Sequence, residues 1–179
     1  MKAAGVGALV VVLVALVVAA ALREHAAQGP QPRMVEDSGY ANSQRPAISP
    51  EEEAYAHALW PIHAQVKQDA VKMTFAGLAY KMGDIKRAAM KDRVVPLTAQ
   101  FDKALADMAK LRPPPGVKVL HDEYTEAIRL FRDASVEMVK MAGDGDDRHL
   151  LAAQEKTDEA SGLTLKVGET LWPGEFKPN

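Results

Sequence analysis

Between residues 55 and 80, apolar positions recur in alternating steps of four and three: Tyr55, Leu59, Ile62, Val66, Ala70, Met73, Gly77 and Tyr80. That spacing follows one face of an α-helix and predicts a helix packed along a seam. Ser49, Pro50 and Glu52 predict its start. Ser49 is the N-cap, Pro50 takes the first helical position, where its missing N–H costs nothing, and Glu52 completes a capping box. Gly83-Asp84 predicts its end and the entry to a second helix, which runs to about Leu111 with Met90, Val94, Leu97, Phe101, Leu105, Met108 and Leu111 on one face. Pro113-Pro114-Pro115-Gly116 is a hard break. A third helix carries Val117, Leu120, Tyr124, Ile128, Phe131, Met138 and Met141, up to a turn at Gly143-Asp144-Gly145-Asp146. Asp146 is placed to cap a fourth helix, 147–172, with Leu150, Ala153, Thr157, Ala160, Leu163, Val167 and Leu171 along it. Pro61 and Pro96 fall inside the first two helices, and each is expected to kink its helix. The alternative is a separate short helix over 50–60.

Four helices of similar length with short connections predict an all-α domain, an antiparallel (up-down-up-down) four-helix bundle over residues 49–174, with a short tail at 175–179. Residues 23–48 read as a flexible linker, punctuated by Gly29-Pro30, Pro32, Gly39 and Pro46 and lacking a hydrophobic period. Residues 3–22 are twenty consecutive positions without a charge, about the length of a membrane-spanning helix. As an anchor, this run leaves Lys2 on the cytoplasmic side, as the positive-inside bias prefers, and carries the rest of the chain across the membrane. As a signal peptide, it would be cut after Ala21. The anchor is the preferred reading because the apolar stretch exceeds a typical signal core.

Composition narrows the chemistry. The chain has no cysteine, so disulfides, thiolate metal sites, covalently attached haem and thiol catalysis are excluded. A net charge of −2 without a basic stripe argues against nucleic acid. No Ser-His-Asp arrangement, phosphate loop or nucleotide fingerprint is present, and the expectation is a protein without catalytic activity. In a generic way the domain resembles membrane-anchored helical-bundle proteins of bacterial envelopes, on the PPPGVKVLHDEY stretch leading into the third helix. That resemblance names no family and carries over no functional residue; it is the charge-free run at 3–22 that predicts a bacterial inner-membrane protein with a periplasmic or extracytoplasmic domain.

The antiparallel order gathers two sets of residues. One end of the bundle is expected to collect Trp60, His63, His121, Tyr124 and Trp172, amphipathic rings suited to docking an envelope or membrane protein partner. The two histidines flank core positions and are expected at the rim. The other end collects Met82, Met90, Met138, Met141 and His149, soft thioethers and an imidazole suited to Cu(I). The competing reading of the methionines is gap filling in the core.

Overall fold

The computed structural model describes residues 48–172. The anchor or signal at 3–22, nearly all of the linker, the last residues of the domain and the tail lie outside the described residues. Those described are all-helical, with four long helices and no strand: α1 (Pro50–Met82), α2 (Arg87–Met108), α3 (Lys118–Asp144) and α4 (Arg148–Leu171), plus one 3-10 turn, Pro115–Val117, before α3. No helix among them is long and apolar enough to cross a membrane.

Local chemistry sets the boundaries. The capping box forms as expected: Glu52 N–H donates to Ser49 Oγ at 3.3 Å, and Ser49 N–H donates to the Glu52 carboxylate at 2.7 Å. Glu51, Glu52 and Glu53 fill the first turn, where acids suit the helix dipole. Gly83 closes α1 at φ 84° and Gly145 closes α3 at φ 80°, both left-handed. A side chain strains that backbone, so Gly83→Ala is expected to cost about 1–2 kcal/mol, read as a lower denaturation midpoint with unchanged helicity. Around the start of α4, the Asp146 carboxylate accepts the Arg148 N–H at 3.0 Å, although the N-cap residue itself is Asp147.

The helices run unbroken through Pro61 and Pro96, so 50–60 is the first part of α1 and not a separate helix. Each proline deprives the carbonyl four residues back of its partner, here that of His57 and of Asp92. His57, Pro61, Asp92 and Pro96 are all exposed, so water reaches the freed carbonyls. The second helix stops at Met108, three residues short of expectation, because the chain turns at 109–111 toward the three prolines.

One core joins the four helices. It includes Leu59, Val66 and Met73 of α1, Val94 and Phe101 of α2, Ile128 and Phe131 of α3, and Val167 and Leu171 of α4. The closest packing is of α3 against α4 and against α2; α1 lies mainly on α2 and meets α3 and α4 at fewer points. Phe101 and Phe131 stack between α2 and α3, with ring centres 5.7 Å apart and planes 17° from parallel. Beside them the buried Ser135 hydroxyl donates to Arg132 C=O at 2.6 Å and shares a 2.8 Å hydrogen bond with Thr98. This pairing satisfies a polar group that would otherwise be costly inside.

Candidate functional site: the aromatic and histidine cluster

Trp60 and His63 lie one turn apart on α1, Tyr124 comes from the first part of α3, and Trp172 follows the end of α4. Their rings meet. His63 sits 4.7 Å from Trp172, 5.5 Å from Tyr124 and 5.9 Å from Trp60, centre to centre. Trp60 meets Trp172 edge-on at 5.1 Å. His63 Nδ1 and the Tyr124 hydroxyl share a 3.1 Å hydrogen bond. A second pair adjoins: Tyr55 hydroxyl and His121 Nδ1 at 2.8 Å. Four of the five residues singled out in the sequence, Trp60, His63, Tyr124 and Trp172, therefore meet, and the fifth, His121, pairs with Tyr55.

Burial differs from expectation at one position. His63 is not at a rim; it is 2 % exposed, enclosed by rings from α1, α3 and the end of α4. Tyr124 and Trp172 are likewise buried, and only Trp60 and His121 are part-exposed. Burial pushes the Tyr55 hydroxyl up to about 12, helped by the Asp122 charge, and raises that of Tyr124 further. Both phenols thus stay protonated at neutral pH. The cluster pairs two phenols with two imidazoles, while the buried indole N–H of Trp172 meets no hydrogen-bond acceptor. A cleft beside it is lined by Tyr55, Ala58, Leu111 and Pro113, so the Tyr55–His121 pair borders the surface, whereas His63 and Tyr124 are buried.

The methionine set is divided by burial. Met90, Met138 and Met141 are core side chains, whereas Met82 is 63 % exposed on the outside of α1. The Met138 methyl packs against Gly77 so closely that a Cβ there would stand 3.1 Å away. His149 is engaged at both nitrogens, with Glu137 at 2.6 Å from Nδ1 and Asp144 at 3.1 Å from Nε2. The three core methionines fill space between helices, as flexible thioethers do. Among the described residues no group of three or more His, Asp or Glu side chains is arranged to hold a metal ion. Sequence reasoning missed Asp69, a buried carboxylate that accepts from Gln65 at 2.8 Å and Lys72 at 3.1 Å.

The two ends respond oppositely to pH. The hydrogen bond to Glu137, together with the Asp144 charge, raises the affinity of His149 for its proton against the pull of burial. Its stabilising contribution is complete below the ordinary histidine value of about 6.5 and is lost as pH rises through the higher folded value. Burial lowers the affinity of His121, with Asp122 opposing and Lys118 assisting. Its contribution is present above about 6.5 and is lost as pH falls through the lower folded value. Thermal midpoints measured across pH should show His149→Gln flattening the alkaline limb and His121→Gln the acid limb. Superimposable curves would remove both assignments.

Compared with protein-family models, curated proteins and solved structures, the chain matches none.

Proposed function

We propose that this chain is a single-pass protein of a bacterial inner membrane, N-terminus in the cytoplasm, whose periplasmic up-down-up-down four-helix bundle serves as a binding or accessory module without catalysis. The observation that carries this reading is the charge-free run at residues 3–22, followed by a polar 26-residue linker and then a capped helical domain. Three contacts support the bundle order. Tyr55 meets His121 near the starts of α1 and α3, Lys81 near the end of α1 pairs with Asp147 at the start of α4, and Lys166 late in α4 pairs with Glu123 early in α3. A binding role is supported by the apolar side chains that α1 turns outward, Val71, Phe75, Leu78 and Met82.

The test uses the full-length protein in a Gram-negative host. It is expected to stay with membranes after alkaline carbonate extraction, to become soluble when residues 1–22 are deleted, and to be digested by protease added to spheroplasts. Mature protein starting at Leu22 in the soluble periplasm would replace the anchor with the signal-peptide reading. Chemical crosslinking in the same membranes should recover a partner; recovery as a free monomer alone would count against the accessory role.

A further inference from the structure

Both tryptophans of the chain, Trp60 and Trp172, stand in the ring cluster and touch each other edge-on. Indole and phenol are the rings among side chains that give up a single electron most readily. An oxidised ring becomes strongly acidic, and it keeps the hole or passes it on according to whether a base takes its proton. The buried Trp172 N–H meets no acceptor. Its radical cation would stay charged in apolar surroundings, a costly state. Tyr124 is the opposite case. Its hydroxyl makes one hydrogen bond among the described residues, with His63 Nδ1 at 3.1 Å. A buried O–H donates where an acceptor is offered, so its proton points at that nitrogen.

The rings are also graded in exposure. Trp60 is part-exposed, whereas Trp172 and Tyr124 are buried. Trp60 meets Trp172 directly, and Trp172 and Tyr124 both pack on His63. An electron leaving Tyr124 can therefore reach the surface in short steps between packed rings. We infer that the cluster carries one oxidising equivalent inward, from Trp60 through Trp172 to Tyr124, where it rests as a phenoxyl radical beside protonated His63. The oxidant is an oxygen-centred radical, such as the carbonate radical anion. It takes one electron from Trp60 and becomes carbonate, leaving an indole radical cation. Trp172 refills Trp60, and Tyr124 refills Trp172. As Tyr124 loses its electron, its hydroxyl proton moves to His63 Nδ1. The products are carbonate, a neutral phenoxyl and an imidazolium, with one electron and one proton accounted for. Burial then shields the phenoxyl from coupling with other radicals. Tyr55 also faces an imidazole, but the ring it meets is His121 and not an indole. This activity goes beyond the binding role and does not depend on an anchor at 3–22.

Pulse radiolysis of the full-length protein in detergent micelles tests this, with azide radicals as the probe because they oxidise indole in preference to phenol. The absence of cysteine removes a competing thiol. Indolyl absorption should decay as phenoxyl absorption rises, at a rate independent of protein concentration, and the rise should slow in deuterium oxide. Trp60→Phe should slow the first oxidation, because Trp172 is covered. Tyr124→Phe should abolish the phenoxyl rise and lengthen the life of the indolyl radical. His63→Gln keeps a hydrogen-bonding group but no base, so it should retain indolyl formation and lose the phenoxyl rise. In the unaltered protein, no phenoxyl rise, or one whose rate follows protein concentration, would overturn the relay without recourse to any variant. A first oxidation as fast in Trp60→Phe would overturn the point of entry. A rise kept in Tyr124→Phe and lost in Tyr55→Phe would overturn the assignment to Tyr124, and a rise unchanged in His63→Gln would overturn His63 as the proton acceptor.

Discussion

Tyr124→Ala is expected to destabilise the domain by about 3–5 kcal/mol, the range for removing a large buried ring. Tyr124 is fully buried, its hydroxyl bonds to His63 Nδ1, and its ring packs against that imidazole. Truncation opens a cavity between α1 and α3 and leaves the His63 nitrogen without the phenol it faces. Tyr124→Phe separates the two effects. It keeps the ring, removes the hydroxyl, and should cost about 1–3 kcal/mol, the penalty of losing one partner of a buried hydrogen bond. Urea denaturation provides the measurement, with Trp60 and Trp172 fluorescence reporting the cluster and circular dichroism reporting the helices. A Tyr124→Ala protein within about 1 kcal/mol of the parent would mean that the rings are not packed as described.

The second large effect lies between α2 and α3. Phe101→Ala and Phe131→Ala should each cost about 3–5 kcal/mol, since both rings are buried and stacked on each other. Once either ring is gone, the other has lost its stacking partner, so the double variant should fall short of the sum. The shortfall should be about 0.5–1.5 kcal/mol beyond burial, the worth of an aromatic pair. Simple additivity in a double-mutant cycle would show that the two rings do not interact.

Much of this fold is legible in the residues. The capping box at Ser49, the glycines at 83 and 145 and the proline run at 113–115 punctuate the chain, and the helices begin and end within a few residues of them. These signals are local, so tertiary context has little chance to override them. The meeting of Trp60, His63, Tyr124 and Trp172 is also legible, because short connections force alternating directions and so fix which helix ends are neighbours. Burial is less legible. His63 is polar and sits off the centre of its seam, yet two neighbouring elements close over it. Asp69 is hidden for a similar reason: a carboxylate reads as surface until Gln65 and Lys72 are seen to satisfy it. The outward stripe escaped because α1 is apolar on two sides. A heptad ladder through Leu59, Val66 and Met73 and another through Val71, Leu78 and Met82 have the same period, and periodicity alone does not say which faces the core. Met82, grouped by helix end with Met90, Met138, Met141 and His149, is exposed on α1.

The sparse packing of α1 against α3 and α4 has a mechanical meaning. A load applied from the N-terminal side enters at Ser49, the start of the least-fastened helix, and is borne first by the reciprocal bonds between Ser49 and Glu52. Behind them α1 can peel away while α2, α3 and α4 keep their mutual contacts. A helix of 33 residues occupies about 50 Å and stretches to about 110 Å when drawn out, so its release adds about 60 Å of slack. In an optical trap pulling on Ser49, that length should appear as the first step, and α1 would act as an extensible strap between whatever holds the chain upstream and the three helices downstream.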